Sequence, residues 1–125
     1  MMLDNRRDYF RYYAELVGVA GATTIEYACP AGCTARLIVA VGYHDHAGAL
    51  NCQWRLSMGS LHEVNTAESV VANARSSFYL QSGIPENLIL NSGEALQFVV
   101  TGIAGGEHAI MLIVAEIRKG ETAWS

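Results

Sequence analysis

His44 and His46, in the stretch YHDHAGALNC from residue 43 to residue 52, are the residues whose type and spacing most directly suggest chemistry. One position apart on an extended backbone, two imidazoles lie on the same side and can reach one cation. Their neighbours Asp45, Ala47 and Gly48 have a different character, that of a polar connection at the end of a sheet. The neighbours favour a loop that binds no metal. Cys29, Cys33 and Cys52 form an odd set, and CPAGC supplies at most two zinc ligands with no second pair. They read as reduced, buried thiols, two of them flanking a Pro-Ala-Gly turn. Ser57, Ser60 and Ser76 lack a Gly-x-Ser-x-Gly setting, and the glycines form no phosphate loop. Glu26, Glu63, Glu68 and Glu94 are dispersed along the chain. The expectation is therefore a chain with no catalytic residue, no metal and no cofactor.

The elements that would position these residues are short apolar or alternating runs broken by Gly, Asn, Ser and Pro, the pattern of antiparallel β-structure. TTIEYAC alternates Ile25, Tyr27 and Cys29 against Thr24, Glu26 and Ala28, and a Pro-Ala-Gly turn leads into ARLIVAVGY. That pair reads as a hairpin. NCQWRLSMG sets Cys52, Trp54, Leu56 and Met58 against Gln53, Arg55 and Ser57, one apolar face and one polar. Further strands are expected at Glu68 to Ala72 and Ser76 to Gln81. Two more flank Asn91-Ser92-Gly93-Glu94, where Asn and Gly accept left-handed backbone angles. After Gly105-Gly106 comes HAIMLIVAEIRKG, apolar enough to be a central strand. The pattern predicts an all-β, antiparallel β-sandwich or jelly roll of about eight strands. Helical candidates are confined to LDNRRDYFRYYAEL and, more weakly, Thr66 to Arg75. The chain divides into an arm, residues 1 to 13, partly helical or extended, and a sandwich domain, residues 14 to 125.

At 125 residues with 51% hydrophobic and 16% charged residues, the chain suits one compact domain whose surface is partly uncharged and partly covered by a neighbour. A formal net charge of -4 gives no broad attraction to phosphate backbones or anionic membranes. The apolar run Ala109 to Ala115 falls short of the roughly 20 residues that span a bilayer. The N-terminal MMLDNRRDYF lacks a secretory apolar core, which points to synthesis and folding in a cytoplasm.

The segment RRDYFRYY differs in kind from the rest. Arg6, Arg7 and Arg11 are crowded with Tyr9, Phe10, Tyr12 and Tyr13, three of the eight basic residues and four of the eleven aromatics. Such interleaving can stack nucleobases, but Asp4 and Asp8 offset the attraction for phosphate. The same enrichment marks protein interfaces. The alternative is that the tyrosines cover one open end of the sandwich. The interface reading takes Arg6, Arg7, Tyr9, Phe10, Arg11, Tyr12 and Tyr13 as an arm reaching a neighbouring subunit, with Trp124 docking similarly.

A jelly roll with His-x-His invites comparison with the cupins, and the sequence departs from their motifs. Gly42 stands too close ahead, Leu50 and Asn51 occupy the Glu positions, and His108 follows Gly105-Gly106-Glu107 without a proline. IPENLILNSGEALQFVVTG and the earlier ACPAGCTARLIVAVG resemble small jelly-roll auxiliary capsid proteins of tailed bacteriophages, the cement or decoration proteins. The resemblance implies a virion protein, made in the host cytoplasm, that sits on the capsid exterior. It implies that the protein binds the major capsid protein and copies of itself, as a dimer or trimer. Nucleic acid and membrane are not among its expected partners. Two other roles remain open. One is a carbohydrate- or receptor-binding module of a phage tail, with Trp54 or Tyr43 as a stacking platform. The other is a divergent metal enzyme in which His44, His46 and His108 converge.

Overall fold

The computed structural model describes residues 9–59, 61–63, 68–77 and 88–119. The described residues contain no helix and build two antiparallel sheets. In chain order the strands are β1 (Tyr9–Val17), β2 (Thr24–Ala28), β3 (Cys33–His44), β4 (Leu50–Ser57), β5 (Leu61–Glu63), β6 (Glu68–Val70), β7 (Ser76–Ser77), β8 (Leu88–Leu90), β9 (Ala95–Thr101) and β10 (Ala109–Lys119).

The first sheet runs β1-β10-β3, with β7 and β8 both on the far side of β3. The second runs β2-β9-β4, with β5 and β6 both on the far side of β4. β5 pairs Arg55 to Ser57 and β6 pairs Leu50 to Cys52, so the two pieces lie end to end along one neighbour. β7 and β8 divide β3 in the same way, at Val41–Gly42 and Ala35–Leu37. Merging each broken pair leaves two layers of four positions, and the chain crosses between them at every step except from β4 to β5 and β6, the order of a jelly roll.

Alternation puts one face of every strand inside. Ile25, Tyr27 and Cys29 are buried from β2, and Cys52 and Trp54 from β4. Leu96, Phe98 and Val100 come from β9, and Met111, Ile113, Ala115 and Ile117 from β10. The rings of Trp54 and Phe98 lie 4.8 Å apart and tilted by 42°, a favourable aromatic geometry. The Trp54 indole N–H donates to Ser76 Oγ at 3.2 Å, and that hydroxyl donates to Glu68 Oε1 at 2.8 Å. A buried indole donor is thereby satisfied, and β4 and β6 of the second sheet are tied to β7 of the first. Gly42 is where the layers touch most closely, because a Cβ there would meet the Phe98 ring at 2.5 Å. Burial pushes the thiols of Cys29 and Cys52 up to about 11.

Several sequence expectations are corrected. Residues 9–17 form a strand, the extended and not the helical form of the two expected for the arm, and β1 continues past residue 13. Each of its residues from Tyr9 to Val17 is paired to β10. Residues 68–70 form a strand, as expected for Glu68 to Ala72, and the weaker helical alternative over Thr66 to Arg75 is set aside there. The Pro-Ala-Gly turn forms, with Cys33 N–H donating to Pro30 O at 3.1 Å and Gly32 at φ +76°. Yet β2 pairs with β9, and β3 with β10, β7 and β8, so the turn is a corner between layers and not a hairpin. The Asn91–Glu94 turn likewise joins β8 of one sheet to β9 of the other. Alternation fixes which face of a strand is buried, but the partner depends on which layer has an open position.

Candidate functional site

At one end of the sandwich β3 runs into the loop 45–49, which lies against the loop between β9 and β10. His44 is fully buried and closes β3 instead of lying in the connection, a further correction. Its Nε2–H donates to Val70 O at 2.7 Å, and its Nδ1 accepts the backbone N–H of His46 at 3.2 Å. Because a carbonyl can only accept and an amide N–H can only donate, these partners assign the tautomer.

His46 and His108 make a crossed pair of contacts over the two loops. His46 Nδ1–H donates to Glu107 Oε2 at 2.6 Å, and His108 Nδ1–H donates to Asp45 Oδ2 at 3.1 Å. The backbone reinforces them, with Asp45 N–H on His108 O at 3.1 Å and His108 N–H on Asp45 Oδ1 at 2.5 Å. The His108 backbone N–H, and then its side chain, hold the Asp45 carboxyl below the usual carboxylate range. The Ala104 backbone N–H, followed by His46, does the same for Glu107. Both ring nitrogens of His44, and Nδ1 of His46 and of His108, are therefore engaged with protein atoms. Among the described residues no group of three or more His, Cys, Asp or Glu side chains could hold a metal ion. The arrangement latches two loops together.

The stacking platforms expected for a sugar-binding role are placed differently. Trp54 is buried within the core and cannot present a face to a ligand. Tyr43 is half-buried, and the Arg75 guanidinium lies over its ring, 4.3 Å from the centroid.

The larger feature is the outer face of the first sheet. The register of β3 against β10 shifts between Val114 and Ala115: Val39 stands opposite Val114 and Leu37 opposite Ala115. Ile38 is thus an extra residue, a β-bulge, and both Ile38 and Val39 are exposed, at 45% and 44%. Val41, Leu112 and Val114 on the same face are half-buried, and Val17 at the end of β1 is 55% exposed. These residues share that outer face. Beside it Arg36 Nε donates to Glu116 Oε1 at 2.9 Å, pairing a carboxylate that is almost wholly buried.

The outer face of the second sheet is mainly polar, with Val99 and Ala28 as its apolar members. Thr24, Glu26, Gln53, Arg55, Gln97 and Thr101 all lie on it, with Gln97 Nε2 donating to Glu26 Oε2 at 2.8 Å. Arg55 Nε and Nη2 both donate to Gln53 Oε1 at 3.3 Å.

No family model matches this chain, and no curated protein matches it. Three solved chains do. One, from the structure of infectious bursal disease virus Gt strain, is 13% identical with a TM-score of 0.37 over 92% of this chain. This chain spans 34% of its length. A structure described as "CBM4 structure and function" is 11% identical with a TM-score of 0.32, covering 95% of this chain and 99% of the other. A chain from the Gx strain of the same virus is 9% identical with a TM-score of 0.30, over 91% of this chain and 42% of its own. Overlaps this loose define neither a shared family nor a shared activity.

Of the residues expected at an interface, Tyr9, Phe10, Arg11, Tyr12 and Tyr13 occupy the first part of β1, opposite Arg118 to Val114. Arg6, Arg7 and Trp124 lie outside the described residues. The apolar outer face was not singled out in the sequence. The run LIVAV in β3 carries its signal, since an alternating strand would not place Ile38 and Val39 both outward without a bulge.

Proposed function

We propose that this chain is a structural protein of a virus particle, a cement or decoration protein that bridges major capsid protein subunits on the shell exterior. On this reading it acts by adhesion rather than catalysis and needs no cofactor. One observation carries the proposal: the apolar surface of Val17, Ile38, Val39, Val41, Leu112 and Val114 on one outer face, set against a polar outer face on the other side. Contiguous exposed apolar surface marks a place where a partner removes water. A modest contact repeated by the symmetry of a shell sums to firm attachment, so each copy can bind weakly.

The test is sedimentation of the purified chain with shells of its source that lack it. The wild-type chain is expected to co-sediment, and a variant carrying Ile38→Asp and Val39→Asp to stay in solution while keeping its β-type circular dichroism spectrum. Binding by that variant equal to wild type, or no binding by the wild-type chain, would overturn the proposal.

A further inference from the structure

The geometry points to a second copy of this chain as the partner of β1, joined antiparallel across a two-fold axis that passes through Tyr13. Among the described residues, β1 pairs on one side only, with β10. It also differs from every other sheet edge. The opposite edge of the first sheet is split into β7 and β8, of two and three residues. The second sheet is bounded by β2, of five residues, and by β5 and β6, of three each. Short and broken edges are how β-proteins prevent edge-to-edge addition. β1 is nine residues long, and YFRYYAELV contains no Pro, Gly or Lys to interrupt pairing.

The occupant follows from the register. A two-fold axis perpendicular to the sheet places each residue opposite one of the same face, so the possible pairings are fixed by the residue on the axis. With Tyr13 on the axis all nine residues pair: Tyr9 with Val17, Phe10 with Leu16, Arg11 with Glu15 and Tyr12 with Ala14. The two charged residues of the strand then stand opposite each other, once on each side of the axis. Moving the axis to Tyr12 sets Arg11 against Tyr13 and Glu15 against Tyr9, and moving it to Ala14 sets Arg11 against Val17. Both shifts shorten the overlap and lose the opposite-charge pairs, each of which stabilises an antiparallel pair.

The joined sheet would bring the outer faces of two copies onto one side, doubling the apolar surface beside β10 and β3. This inference rests on reading the chain as an assembly component, but its test uses the purified chain without shells. Failure of shell binding and failure of self-pairing are therefore separate results.

Light scattering of the full chain at a few hundred micromolar is expected to give a mass of two 13.5 kDa chains. Arg11→Glu is expected to raise the dimer dissociation constant roughly tenfold, and Glu15→Arg similarly, while the double variant Arg11→Glu, Glu15→Arg recovers wild-type association. In a second arm, mild oxidation of Tyr13→Cys is expected to yield a covalent dimer much faster than Thr24→Cys, an exposed position on the edge of the other sheet. That arm decides the matter if a charge variant does not fold. A monomeric wild-type chain, equal cross-linking at positions 13 and 24, or a double variant no better than the single ones would overturn the inference.

Discussion

The two sheets are built by the same alternation, yet their outer faces are chemically opposite. On the second sheet β4 is apolar inward and polar outward, with Cys52 and Trp54 inside and Gln53 and Arg55 outside. On the first sheet the first part of β10 is apolar on both faces, with Met111 and Ile113 inward and Leu112 and Val114 outward, and only its end sets Glu116 and Arg118 outward. A strand apolar on both faces belongs to a layer covered on both sides. The difference teaches that burial within the sandwich leaves Ile38, Val39, Val41, Leu112 and Val114 of β3 and β10 unexplained. On the proposed function these outward residues are the ones a partner covers.

That comparison presupposes two layers clamped by one core, and the largest effects should come from releasing the clamp. Phe98→Ala, which empties the space between Gly42 and Trp54, is expected to destabilise the fold by about 3–5 kcal/mol in chemical denaturation. His44→Ala removes a buried ring together with the partners of Val70 O and His46 N–H, and is expected to cost about 2–3 kcal/mol in the same measurement.

Substitution on the outer faces sharpens the contrast directly. Val39→Lys on the first sheet and Gln53→Lys on the second are each expected to change stability by no more than about 0.5 kcal/mol. Only Val39→Lys should abolish association with shells, as read by co-sedimentation. Equal loss from both would erase the distinction between the faces.

The smallest effect concerns acid. Asp45 and Glu107 are both held below their ordinary values in the folded chain. Their contribution is therefore present above the usual carboxylate range and lost as the pH falls through the lowered folded-state values. The wild-type chain should lose stability in that acidic window faster than the variant Asp45→Asn, Glu107→Gln, and the two should run parallel above it. Denaturation midpoints measured against pH check this. A parallel course throughout would mean that the crossed histidine–carboxylate contacts do not couple to folding.

Much of this organisation was legible in particular residues. The alternation in TTIEYAC and NCQWRLSMG gave the inward faces of β2 and β4, Gly93 takes the left-handed angle its turn needs at φ +81°, and β10 is central. The reading went astray where a local signal had to stand for a distant partner. The Pro-Ala-Gly turn reads as a hairpin because adjacent strands often pair, whereas here it, like the Asn91–Glu94 turn, crosses between layers. YFRYYAELV looked like a partly helical arm because it lacks clean alternation, yet β10 offers its residues a ladder of backbone hydrogen bonds. His44 sits in polar company in the sequence, and only the arrival of Val70 at its Nε2 makes it a buried residue.

By itself the sequence determined the secondary structure class and the inward face of most strands. Side-chain period and turn chemistry are properties of a few consecutive residues, and solvent exclusion acts on them wherever the strand ends up. The tertiary structure alone decided which strands share a sheet, where the bulge at Ile38 turns two apolar side chains outward, and which edge was left long. Each of those depends on backbone groups far apart in the chain competing for the same hydrogen-bonding positions, a competition that no local stretch records.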